Sequence, residues 1–150
     1  MRIEEEIKQS KKFTHEYEKL LINIMYTASW IEASNIQRLK PFGISPQQYN
    51  VMRILRGSYP QPLMLSDISS RMIDKNSNAT RLVEKLRIKN LVKREICENN
   101  RRQVDIVITQ KGLDLLSAID AEADSWFDNL RNISTSEAQE LNFALDKLRN

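Results

Sequence analysis

The chain has 150 residues, 29% of them charged, with a formal net charge of +3, a length that fits one domain with a sizeable core. Its single cysteine, Cys97, excludes an internal disulfide and fits a reducing cytoplasm, and one histidine with one cysteine leaves no zinc cluster. The polar N-terminus MRIEEEIKQSKK is unlike a signal peptide, and no apolar run approaches a membrane span, so a cytoplasmic protein with no membrane partner is expected.

Glycine and proline are sparse, which predicts long helices. From about Phe13 to Leu39, the residues Leu20, Ile24, Ala28, Ile31, Asn35 and Leu39 recur at steps of three or four, the signature of one amphipathic helix. Pro41-Phe42-Gly43 ends it. Ser45-Pro46 opens the next, with Ser as N-cap and Pro at the first helical position, and Tyr49, Met52 and Leu55 form its apolar stripe. Residues 57–62 read as a loop. Ser66 is the expected cap of a short helix to about Met72, with Ile68 and Met72 inward, and residues 74–77 form a polar turn.

A further helix is expected from about Ser77 to Lys89. Ala79, Leu82, Val83 and Leu86 line one side of it; Asn78, Arg81, Lys85 and Lys89 line the other, with Ser77 and Thr80 near its start. Asn90 stands where a helix end often needs a left-handed residue. Residues 91–97 and 103–108 read as two strands, the second with Val104, Ile106 and Ile108 on one face. Between them Glu98-Asn99-Asn100-Arg101-Arg102 is a turn, because asparagine tolerates the left-handed conformation. Thr109 caps a predicted helix to about Asn132, with Leu113, Leu116, Ile119, Ala123, Trp126 and Leu130 apolar. Ser134 with Glu137 forms a capping box for the last helix, whose inward residues are Leu141, Ala144 or Leu145, and Leu148.

Charge is unevenly spread. Residues 71–102 carry 10 basic and 4 acidic groups, whereas residues 103–150 carry 4 basic and 9 acidic ones, so the middle segment suits a polyanion. Within it, Arg101 and Arg102 at a hairpin tip suit phosphates or a narrow minor groove, although a solvated turn would have the same composition. Ser77, Asn78, Thr80, Arg81 and Lys85 could contact DNA: Asn and Arg can pair with adenine and guanine edges, and Ser and Thr suit phosphates. An ordinary exposed helix face would look alike. No nucleophile–base pair, phosphate-cradling glycine loop or metal constellation is present, so neither an enzyme nor a cofactor is expected.

Short helix, polar turn, second helix and hairpin follow in the order of a winged helix-turn-helix. In particular, Asn100-Arg101-Arg102 followed by Ile106, Ile108, Thr109 and Gly112 resembles the wing signature of the MarR family of bacterial transcription regulators. Ala79-Thr80-Arg81-Leu82-Val83-Glu84-Lys85-Leu86 resembles that family's recognition-helix core, and Ser45-Pro46-Gln47-Gln48-Tyr49 the usual start of its second helix. The chain departs from the pattern with Asn100 for the usual Asp and Asn90 for the usual Gly. The resemblance covers about residues 12–149. It implies a mainly α fold with a small β-hairpin wing, with the DNA-binding lobe at about 45–108 and dimerisation helices at about 12–40 and 109–149. It implies a homodimeric regulator of a palindromic double-stranded operator, a repressor relieved by a small-molecule effector, with one wing arginine in the minor groove. Trp30, Tyr49 or Arg53 would line an effector site. The family's cysteine-based oxidant sensing is not expected, because the first long helix has no cysteine. A winged-helix module that binds protein and not DNA is the alternative.

Overall fold

A computed structural model describes residues 1–97, 99–128 and 130–150, with residue 101 described in its backbone alone. Helices dominate: α1 (Ile3–Glu6), α2 (Glu16–Leu39), a 3-10 turn (Lys40–Phe42), α3 (Pro46–Ser58), α4 (Leu65–Arg71), α5 (Ala79–Ile88), α6 (Gln110–Ala121), α7 (Ala123–Asp128) and α8 (Thr135–Leu148). Three strands accompany them: β1 (Leu63–Met64), β2 (Val92–Cys97) and β3 (Asn100–Ile108). The mainly helical fold with a small β wing is as the sequence predicts. By contacts the chain divides within α3 into two compact units, Met1–Tyr49 and Asn50–Asn150.

In the first unit α2 starts three residues later than its apolar period suggests and ends where expected. Of its stripe only Leu39 is buried, Ile24 and Asn35 are half-buried, and Leu20, Ala28 and Ile31 remain exposed, as do Leu21, Met25, Tyr26, Trp30 and Ile36 beside it. The short α1, which the sequence did not announce, buries Ile3, and Glu4 Oε1 pairs with Lys19 Nζ on α2 at 2.6 Å. Gly43 takes a left-handed φ of 69° to end the 3-10 turn, a conformation that costs glycine little. Ser45 then caps α3: its Oγ accepts from Gln48 N at 3.1 Å, and Gln48 Oε1 accepts from Ser45 N at 3.0 Å.

The second unit holds a continuous apolar core. Val51, Met52 and Leu55 of α3 join Ile68 of α4, Val83 and Leu86 of α5, Ile106 and Ile108 of β3, and Leu116 and Ile119 of α6, all 2% exposed or less. Each such side chain contributes roughly 1.5–3 kcal/mol on leaving water. That fixes the rotation of α5 about its axis: with Val83 and Leu86 inward, Thr80, Arg81 and Lys85 must face solvent, and they do. α3 runs through Gly57 and Ser58, so the loop after it is shorter than predicted.

The sheet has the order β1-β3-β2 and is antiparallel throughout. The hairpin is present, but β3 begins at Asn100, three residues before the sequence suggests, so Arg101 and Arg102 belong to the strand and not the turn, and β1 adds a third strand through Leu63 opposite Ile106 and Met64 opposite Asp105. Ser66 is not the cap of α4. That helix begins at Leu65, and the Asp67 carboxylate accepts from Met64 N at 3.3 Å. The predicted long helix from Thr109 is two helices, because α6 ends at Ala121 and is capped by Glu122, whose N–H returns to Asp120 and Ile119 carbonyls. The final capping box is present, with Ser134 N donating to Glu137 Oε2 at 2.7 Å and Glu137 N to Ser134 Oγ at 3.2 Å. The Ser134 backbone N–H first, and then the Ser134 hydroxyl, which donates to Glu137 Oε2 at 2.8 Å, hold the Glu137 carboxyl below its ordinary range. The carboxylate half of the box is therefore intact at neutral pH and weakens as pH falls through the carboxylate range.

Candidate nucleic-acid interface

α5 begins one residue after Asn78, whose backbone is extended and whose Oδ1 accepts from Arg81 N at 3.1 Å. Asn78 is thus the N-cap, and Ser77 lies outside the helix that the sequence had it open. The Ser77 Oγ is buried and makes no hydrogen bond among the described residues. Thr80 and Arg81 project from the first turn and Lys85 from the next, on the face opposite Val83.

The cap role of Asn78 is open to experiment. Asn78→Ala should lower stability by about 1 kcal/mol, the usual value of a side-chain cap, whereas Asn78→Ser should keep it. Thermal unfolding checks this, and equal melting temperatures for the two variants would contradict the cap.

At the other end, α5 closes on Asn90, which takes a φ of 58°. Leu91 N reaches back to the Leu86 carbonyl at 3.0 Å and Asn90 N to the Arg87 carbonyl at 2.9 Å, a Schellman-type end in which asparagine replaces glycine at modest cost. Thr109 then ties three elements together. Its Oγ donates to the Asn90 carbonyl at 2.7 Å and accepts from Gly112 N at 3.1 Å, while its N–H donates to the Leu91 carbonyl at 3.0 Å. The root of the hairpin is in this way fixed to the end of α5 and the start of α6.

Beyond that root the hairpin leaves the core. Ile96 and Val104 are paired across the strands and exposed, and a bulge lies between Ile96 and Cys97. Cys97 is half-buried. Residues Arg101 and Arg102 lie in the first turn-proximal positions of β3. Arg102 is exposed, and its backbone N–H donates to Asn100 Oδ1 at 3.1 Å. Asn100 therefore acts as a local backbone acceptor, a role its amide oxygen fills as a carboxylate oxygen would. The side chain of Arg101, and Glu98 in the turn, lie outside the described residues.

One residue of this surface was not singled out from sequence. Arg94 of β2 joins Asn78, Thr80, Arg81, Glu84 and Lys85 in lining a concavity of ≈ 630 Å³ on the solvent face of α5. Strand periodicity carried the signal: Arg94 shares a face with Val92, which is buried, and stands opposite Ile106. Glu84 is the acidic member of the group. Its Oε1 accepts from Arg87 Nη2 at 2.7 Å and its Oε2 from Arg87 Nε at 3.0 Å, and Arg94 Nη1 stands 3.7 Å from Oε2. The Arg87 bonds first, and then the charges of Arg87 and Arg94, hold the Glu84 carboxyl below its ordinary range.

The residues considered for an effector lie as follows. Trp30 of α2 helps line a ≈ 390 Å³ cavity with residues 1–4, Glu6, Lys19, Asn23, Tyr26 and Thr27, so its neighbours there are the N-terminal segment and α2 itself. Tyr49 lies under the Arg38 guanidinium, 5.2 Å from the ring centroid. Arg53 is exposed on α3. Among the described residues no group of His, Cys, Asp and Glu is arranged to hold a metal, and no helix is long and apolar enough to cross a membrane.

Comparison with known proteins places this architecture. Residues 44–104 match the model of the MarR family. No curated protein matches the chain in sequence. Among solved structures, the chain resembles a MarR-like transcription regulator from Bacillus cereus ATCC 10987, with a TM-score of 0.79, 19% identity, and 89% of this chain and 96% of that one covered. It also resembles a MarR transcription factor from Planctomyces limnophilus, with a TM-score of 0.69, 26% identity, and coverage of 90% and 98%. The third is S. aureus MepR in complex with DNA, with a TM-score of 0.76, 21% identity, and coverage of 91% and 97%. Residues 44–104, which run from the end of the first unit through most of the wing, match the MarR-family model, and the chain has the MarR winged-helix fold.

Proposed function

We propose that the protein is a sequence-specific DNA-binding transcriptional regulator that acts as a homodimer, a repressor relieved by a small-molecule effector. The observation that carries this reading is the solvent face of α5. Thr80, Arg81 and Lys85 project there beside a hairpin that carries Arg102, in a fold shared with MepR, a protein solved on DNA. α5 would lie in the major groove, where Arg81 and Asn78 meet base edges, with Thr80 and Lys85 toward phosphates, while Ser77, whose Oγ is buried, is left out of the contact. The wing, through Arg101 or Arg102, would enter the flanking minor groove, where arginine suits a narrow, electronegative channel. Dimerisation is supported by the apolar side chains that α2 and α8 leave exposed, and a two-fold dimer matches a palindromic operator. An effector relieves repression only by binding better to a dimer whose recognition helices are wrongly spaced than to the DNA-competent one.

Binding of variants to a selected site and to random DNA across a salt series tests the assignment. At least one of Arg101→Ala and Arg102→Ala should weaken binding to both DNAs by about 1–3 kcal/mol and flatten the salt slope. Arg81→Ala should instead narrow the gap between selected and random DNA. Wing variants that bind like wild type, together with an Arg81 variant of undiminished discrimination, would overturn the assignment.

A further inference from the structure

Within the α5 concavity, two charges of opposite sign meet without a hydrogen bond. Glu84 already accepts three hydrogen bonds from Arg87, at 2.7, 3.0 and 3.2 Å, which occupy both of its oxygens. Arg94 stands 3.7 Å from the nearer oxygen, too far for a hydrogen bond, so charge alone holds this pair. Such a contact between partly exposed groups is weak and screened by salt. Arg94 is rooted in β2 opposite the buried Ile106, so its backbone is anchored while its guanidinium reaches the wall formed by Asn78, Thr80, Arg81 and Lys85.

We propose that Arg94 is a third DNA-contacting element, a phosphate clamp between recognition helix and wing, and that Glu84 is its resting partner in the free protein. The inference rests on the DNA-binding reading above and adds a residue and a hand-over to it. A phosphate offers the planar guanidinium two oxygens at bonding distance, a better partner than a carboxylate whose lone pairs are engaged by Arg87. On docking, Arg94 exchanges Glu84 for a backbone phosphate. Glu84 stays with Arg87, and its negative charge opposes loosely placed DNA, which damps binding where the clamp does not close.

The test uses the full chain, a selected operator and random duplex DNA, with circular dichroism confirming that each variant folds. Arg94→Ala should weaken binding to both DNAs on the order of tenfold and reduce the salt slope by about one per chain. Arg94→Lys, which keeps the charge, should keep the slope. Glu84→Gln should tighten binding severalfold. An Arg94→Ala variant with wild-type affinity and slope, an Arg94→Lys variant as impaired as alanine, or a Glu84→Gln variant of unchanged affinity would overturn the clamp. Those outcomes presuppose a wild-type protein that binds DNA; a wild type that binds neither duplex defeats the functional reading itself.

Discussion

Gly112→Ala should destabilise the protein by about 2–3 kcal/mol, the upper part of the range for a methyl group forced into a filled site. An added Cβ would stand 2.4 Å from the Leu91 carbonyl oxygen and 2.6 Å from Ile108 Cγ1. Neither neighbour can yield cheaply. The Leu91 oxygen belongs to the backbone and already accepts from Thr109 N at 3.0 Å, and Ile108 is 2% exposed and locked in the core. The glycine is required for close approach, since the first turn of α6 lies against the end of α5. This gives the Thr109-x-x-Gly112 part of the wing signature a physical meaning: the threonine caps and cross-links, and the glycine lets the cross-linked pieces touch. The melting temperature should fall on the order of 5–10 °C. A variant that melts with wild type would show that the junction is loose, and the wing would then lack a fixed position beside α5.

The second large effect concerns α8. Leu141 and Leu148, seven residues apart on one stripe, are 52% and 57% exposed. If that stripe meets water, Leu141→Glu with Leu148→Glu should be harmless or improve solubility. If it meets a second copy, the same pair buries two carboxylates in an apolar contact, where desolvation costs several kcal/mol per charge. The proposed dimer predicts the second outcome: monomers by light scattering at micromolar concentration, and loss of tight operator binding because two half-sites no longer act together. A double variant that remains dimeric would place the interface elsewhere, and a wild type that is already monomeric would contradict the dimer.

How much of this was legible beforehand depended on how local the determining contact is. Ser45, Asn90, Thr109 and the Ser134–Glu137 pair were readable because a cap is settled within four residues by side-chain chemistry. The apolar stripe of α5 fixed its exposed face for the same reason. β1 was not readable: two residues carry no period, and the strand exists only because β3, more than forty residues later, pairs with Leu63 and Met64. The break at Glu122 has no glycine or proline to announce it, and the apolar spacing continues across it. Residue type alone points to Ser66 as the cap, whereas the N-cap is Met64 and Asp67 supplies the bond from the third helical position. At the candidate site, the residue types of α5 and the wing were visible, but the Glu84–Arg94 meeting was not. It joins a helix to a strand, and its partners are named only by the register of the hairpin.

Selection of wild-type binding sites from a random duplex pool, followed by titration of the winner and of random DNA over a salt series, tests the central claim most directly. A winged-helix dimer predicts a symmetric consensus with half-site centres about one helical turn apart. It also predicts affinity for the selected site roughly a thousandfold or more above that for random DNA at physiological salt, with steep salt dependence on both. A pool that yields no enriched sequence, with binding too weak to measure even at low salt, would contradict the claim that this chain reads DNA.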